Sequence, residues 1–193
     1  MTAPRILAFS GSLRRESFNH RLIEVAAKCA AAAGAQTTVV RLADFALPVF
    51  NEDDEAKTGL PAGAVRLKQL FSEHDALLIA SPEYNSGYTA ALKNALDWVS
   101  RPAQGEAPLG GFKGKAAGLL AASPGALGGL RGLVGLRMLL ANLGVLVVTE
   151  QFALSKAHEA FAADGGLVDA RAKASAESVA LAVVGLARKL RST

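Results

Sequence analysis

The chain has 193 residues, 51% of them apolar and 20% charged, with a net charge of +4; the length suits one well-buried core, so one domain over 1–193 is expected. Its apolar residues fall in short separated runs, which excludes a disordered chain and a membrane span of about 20 unbroken apolar residues. The basic residues are dispersed except in the tail Arg188-Lys189-Leu190-Arg191 and lack interleaved aromatics, so no nucleic-acid or membrane partner is expected, although mild positive charge favours the approach of anionic nucleotides.

Met1 to Pro4 lead straight into Arg5-Ile-Leu-Ala-Phe9 with no long apolar leader, which sets a cytoplasmic location as the expectation. Residues 5–10 form an apolar strand ending in Gly11-Ser12, and 19–33 have helical spacing through Leu22, Ile23, Ala26, Ala27 and Ala30. The lone Cys29 lies on that helix and reads as a buried small apolar side chain. Gly34 closes the helix, and the β-branched run 37–42 makes the second strand of a βαβ unit.

Asn51, Glu52, Asp53, Asp54 and Glu55 read as a solvated acidic loop rather than a metal site. A helix is expected over 61–73, an almost wholly apolar strand over 75–80, and a helix over 89–99. A buried strand follows over 115–121, a helix over 130–143, a fifth strand over 145–149 and a last long helix over 168–190. Five apolar strands alternating with helices imply a doubly wound parallel sheet with helices on both faces. Such a sheet binds its ligand outside the carboxyl ends of the strands, where the strand order reverses.

The segments after those strand ends therefore carry the chemistry. After the first strand, Ser10-Gly-Ser-Leu-Arg-Arg-Glu-Ser-Phe-Asn19 supplies hydroxyls, backbone amides and guanidinium groups at a helix N-terminus, the chemistry of a phosphate site. A hydroxyl-rich turn with Ser17 or Asn19 as a helix cap is the plainer alternative. No Gly-x-Gly-x-x-Gly follows this strand and no Gly-Lys-Ser/Thr ends a P-loop, which disfavours a dinucleotide Rossmann site and an NTPase. A serine-bearing loop suits a monophosphate held end-on. Ser81-Pro-Glu-Tyr-Asn-Ser-Gly-Tyr88 and Ser123-Pro-Gly-Ala-Leu-Gly-Gly129 follow the third and fourth strands; they can line a flat polar edge, with Tyr84 as an aromatic wall, or serve as turns.

On these residues the chain resembles the NAD(P)H-dependent FMN reductase family of flavodoxin-like proteins, which includes quinone, azo-dye and chromate reductases. The resemblance is carried by Gly11-Ser-Leu-Arg-x-x-Ser-x-Asn19, Ser81-Pro-Glu-Tyr-Asn85, Leu92-Lys-Asn-Ala-x-Asp-Trp98 and Ser100-Arg-Pro102, and spans most of residues 5–150. It implies a flavodoxin-like five-stranded sheet with FMN as cofactor. It places Ser10, Ser12, Arg14, Ser17 and Asn19 on the phosphate, Pro82, Glu83, Tyr84 and Asn85 along the isoalloxazine ring, and Ser123 and Gly125 at the rest of the ring pocket. Lys93, Asn94, Asp97 and Trp98 lie on the helix behind the third loop, where they shape the site, make a subunit contact or play a structural role.

In that reading the flavin performs the chemistry, taking hydride from NADPH or NADH at N5 and then reducing a small acceptor such as a quinone, flavin, azo compound or metal oxyanion. No protein side chain is needed as a catalytic group and no metal site is expected. His20, His74 and His158 are scattered and read as surface or capping residues. A flavodoxin-type electron carrier is the alternative, and the basic balance counts against it. The apolar positions around the helix over 130–143 further suggest a homodimer or homotetramer.

Overall fold

In the computed structural model, which describes residues 2–102 and 105–191, apolar runs form strands and runs of helical period form helices. Strand β1 (Arg5–Ser10) leads through α1 (Phe18–Ala32) to β2 (Gln36–Arg41). After a 3-10 turn at Leu42–Phe45 come α2 (Glu52–Thr58), α3 (Ala62–Glu73) and β3 (Ala76–Ala80). A small hairpin of β4 (Glu83–Tyr84) and β5 (Gly87–Tyr88) precedes α4 (Ala90–Ser100). The chain continues through β6 (Ala116–Ala122), α5 (Leu130–Asn142), β7 (Leu146–Leu154) and α6 (Ala170–Leu190).

The main sheet has five parallel strands in the order β2-β1-β3-β6-β7. Alternation along the central strands divides the core in two. Ile6, Ala8 and Leu78 face α1 and α6, whereas Leu7, Phe9, Leu77 and Ile79 face α3, α4 and α5. In β6 the small residues let a helix come close: a Cβ on Gly118 would lie 2.6 Å from Val183 Cγ2, so α6 sits at a distance that glycine permits.

Several expectations need correction. The acidic run is not a loop but the start of α2, where Asn51 Oδ1 accepts from Asp53 N (3.0 Å) and four carboxylates occupy the first turn, the positive end of the helix. None of its seven residues is buried, so no apolar periodicity marks it. The last strand is longer than 145–149 because it bulges: Ala117 pairs with Val147 but Leu119 with Gln151, and exposed Thr149 and Glu150 interrupt the apolar pattern. Arg137 braces the bulge by donating to the carbonyls of Val147 (3.3 Å) and Val148 (2.8 Å).

His20 is buried rather than superficial, while His74, also buried, is the capping residue that the alternative expected. The ring of His74 closes α3, with Nδ1 2.7 Å from Leu70 O and Nε2 2.8 Å from Thr38 Oγ1. Burial, and after it Arg41, holds His20 below the usual histidine value. Cys29 is only half-buried, and burial together with Glu177 pushes its thiol up. Among the described residues no helix is long and apolar enough to cross a membrane.

Candidate functional site

The strand order reverses between β1 and β3, and the loops after β1, β3 and β6 meet at that crevice. After β1, Gly11 N donates to Ala80 O (2.8 Å), and a Cβ on Gly11 would lie 2.9 Å from Leu92 Cβ, so the loop crosses α4 closely. Thr89 caps α4 by accepting from Leu92 N (3.1 Å) and donates its hydroxyl to Gly11 O. The loop then curls on its own serines: Ser10 Oγ accepts from Ser12 N and Ser12 Oγ from Arg14 N, each at 3.3 Å. Ser17 is the N-cap of α1, accepting from His20 N at 3.2 Å.

Asn19 is buried in the first turn of α1. Its Nδ2 donates to Ala122 O (2.8 Å) and its Oδ1 accepts from Ala122 N (2.9 Å), which bolts the helix start to the end of β6. At the crevice, by contrast, the exposed Arg14 guanidinium makes no hydrogen bond or ion pair among the described residues.

After β3, the hairpin turns at Asn85 and Ser86, both left-handed with φ of 51° and 65°, as a two-residue turn requires. Tyr84 is 57% exposed. Glu83 is turned onto α5: its carboxylate accepts from the backbone amides of Arg131 (2.9 Å) and Gly132 (3.2 Å) and from Arg131 Nε (2.8 Å). Burial opposes ionisation of Glu83, but the hydrogen bonds from Arg131 and Gly132 and the Arg131 charge outweigh it and hold the carboxyl below the usual carboxylate range. After β6, Ser123 N donates to Leu154 O (3.0 Å) and Ser123 Oγ accepts from Gly125 N (3.1 Å).

These loops enclose a cleft of about 90 Å³ lined by Ser12, Arg14, Ser17, Phe18, Asn19, Pro82, Glu83, Tyr84, Ala122, Ser123 and Pro124. Glu83 and Ser123 are shared with a shallower depression of about 450 Å³, whose wall includes Asn85, Ser86, Gly125 and Arg131. Ten of the eleven candidate residues thus border one of two adjoining hollows, and Ser10 lies buried beneath them as an acceptor for the loop. Ala122 and Arg131 lie outside the loops that the sequence marks, whereas Phe18 and Pro124 lie within them without an assigned role. Phe18 directly follows the capping Ser17, which was a usable signal, whereas nothing in the chain links position 131 to position 83.

Behind the crevice, α4 is tied to the segment that precedes α2. Asn94 Nδ2 and Trp98 Nε1 both donate to Pro48 O at 2.8 Å, and Asn94 Oδ1 accepts from Phe50 N at 2.8 Å. Lys93 and Asp97 pair with each other along the helix at 2.7 Å. Arg101 pairs with Glu55 (2.9 Å), so this stretch fastens the segment 46–58 to the body of the protein.

The unpaired Arg14, the Ser12 and Ser17 hydroxyls and the first turn of α1 suit a phosphate, and the two loop rims beside them suit a planar ring; the residues present fit FMN. Strand order, crevice and donor set together define a flavodoxin-like α/β protein with a site for a phosphate-bearing planar cofactor. The chain belongs to the family of NADPH-dependent FMN reductases, which it matches over residues 4–159. It is an enzyme of that type, an oxidoreductase that uses FMN and a reduced nicotinamide nucleotide.

Relatives agree over nearly the whole length. An NAD(P)H-dependent FMN reductase of Pseudomonas aeruginosa is 35% identical over 97% of each chain. A probable NADPH:quinone oxidoreductase of Oryza sativa subsp. japonica is 34% identical over 98% of this chain and 91% of its own. Among solved structures, the flavoenzyme NAD(P)H:(acceptor) oxidoreductase FerB of Paracoccus denitrificans superposes with a TM-score of 0.83 at 31% identity, covering 97% of this chain and 98% of that one.

Proposed function

We propose that this chain, as one flavodoxin-like domain acting in the cytoplasm, passes electrons from NADPH or NADH through FMN to a small acceptor, a quinone above all. The observation that carries the reading is the Arg14 guanidinium, without a partner among the described residues, beside the first turn of α1 and facing loops from two other strand ends. Ser12, Arg14 and Ser17 would hold the phosphate, and Pro82, Tyr84, Asn85, Ser123 and Gly125 would edge the ring. Ser10, Asn19 and Glu83 shape these contacts from behind, through the backbone groups that they bind. When bound, FMN supplies the redox chemistry, accepting electrons from the nicotinamide and releasing them to the acceptor. Pro82, Tyr84, Asn85, Ser123 and Gly125 would orient the ring, and nicotinamide and acceptor would reach it in turn.

Anaerobic mixing of the FMN-loaded protein with NADH or NADPH tests this. The flavin absorbance should bleach with no other protein present, and a quinone should restore it. Failure of both nucleotides over many minutes would leave a flavodoxin-type carrier. The same reading includes a homodimer, or a tetramer built from dimers. On α5 the exposed Leu130, Val134 and Met138 recur four residues apart, an apolar stripe on a helix otherwise packed on the sheet. Light scattering should give a multiple of the chain mass that Val134→Glu lowers; a monomer at micromolar concentration rejects this part.

A further inference from the structure

Glu83 lies between two parts of the molecule. Its backbone belongs to the Pro82–Asn85 strip, and its carboxylate caps α5, whose own N-cap residue, Gly129, has no side chain to do so. Arg131 adds two guanidinium contacts to the same carboxylate, from Nε at 2.8 Å and Nη2 at 2.6 Å. The hairpin is also seated tightly on the helix: a Cβ on Gly132 would lie 3.2 Å from Gly87 O and 3.4 Å from Glu83 Cβ. The height of the strip above α5 is therefore set by close packing and by one ion pair, in which both guanidinium nitrogens meet Glu83 Oε1 while Oε2 takes the two helix amides. That pair stands on the rim of the shallow depression, and Arg131 does not line the cleft beside α1.

We propose that Arg131 is a positioning residue for the flavin ring, forming with Glu83 a charge-balanced clasp that holds the Pro82–Asn85 strip and sets the charge at the ring's edge. The proposal rests on the reading of the crevice as an FMN site. Its physical content is a sign. Reduction places negative charge on the ring, so an uncompensated cation nearby favours the reduced state and an uncompensated anion opposes it. In the clasp the two charges largely cancel.

Glu83→Gln keeps an oxygen for both helix amides and leaves Arg131 uncompensated; Arg131→Gln, at an exposed position, leaves the carboxylate uncompensated. Anaerobic potentiometric titration of the FMN-loaded proteins should give a midpoint potential that rises in Glu83→Gln, falls in Arg131→Gln and returns toward wild type in the double variant. Equilibrium titrations should show each single variant changing FMN and riboflavin affinity by the same factor, because the clasp acts on the ring and not on the phosphate. Shifts of the same sign, no shift, or a loss confined to FMN would overturn the proposal, the last by placing Arg131 at the phosphate. Wild-type protein that binds no flavin would reject the cofactor reading itself, and this inference with it. Wild-type protein that binds FMN while the variants leave its potential unmoved rejects the clasp alone.

Discussion

The two ends of the sheet are both rich in polar groups, and they use them in opposite ways. At the amino end the groups close on one another. Asp75 Oδ2 accepts from Arg5 N (2.7 Å) and Arg191 Nη1 (2.8 Å), Arg191 also reaches Ala3 O (2.9 Å), and Lys115 donates to His74 O. Burial holds the Lys115 ammonium below its usual value even beside Asp75, and its backbone partner supports it there. At the carboxyl end the serines organise their own loop while Arg14 has no partner among the described residues. The density of polar residues thus does not mark the site; unused bonding capacity does. The asymmetry follows from parallel strands, because α1 begins at the carboxyl end and aims its first-turn amides there, whereas those of α5 are taken up by Glu83.

The sharpest way to break this comparison is to attack the scaffold under the site. Asn19→Ala would strip Ala122 of both hydrogen bonds, at a cost of about 1–3 kcal/mol for each buried group left unsatisfied. Urea unfolding of flavin-free protein measures this, and a change within roughly 0.5 kcal/mol, typical of a surface substitution, would show that the bolt is idle. Removing unused capacity should act on ligand and not on fold. Arg14→Ala is expected to weaken FMN by roughly tenfold or more while riboflavin affinity and the flavin-free melting temperature stay near wild type; equal losses for both ligands would contradict the phosphate assignment.

The closed end should show the converse. Asp75→Asn removes the charge that Arg191 meets and should lower stability by roughly 1 kcal/mol with FMN affinity unchanged, as paired denaturation and titration would reveal. The smallest effect is in pH. Glu83 has a folded pKa held below its unfolded value, so its contribution to stability is complete above the ordinary carboxylate range and is lost as pH falls through the lowered value. The flavin-free melting temperature of wild type should therefore drop more steeply on acidification than that of Glu83→Gln. Parallel curves would mean that the carboxylate contributes nothing.

Much of this architecture was legible where burial enforces a period. The wholly buried runs of β3 and β6 and the spacing in α1, α4 and α6 announce strands and helices because each packs an apolar face against one core or the other. Legibility fails where packing imposes no pattern: α2 buries nothing, and β7 slips past β6 in a bulge. The site divides in the same way. Ser12, Arg14 and Ser17 could be read together because one loop delivers them, whereas Arg131 reaches Glu83 from a helix 48 positions away.

By itself, the sequence determined the alternation of strands and helices, the positions of the loops at strand ends and the anion-binding chemistry of residues 10–19, since period, turn chemistry and side-chain type are local properties. Only the tertiary structure decided the order β2-β1-β3-β6-β7, the turning of Glu83 toward α5 and the tying of Asn19 to Ala122. Each of these is a contact between segments far apart in the chain, chosen by which faces pack and which buried polar groups must find a partner.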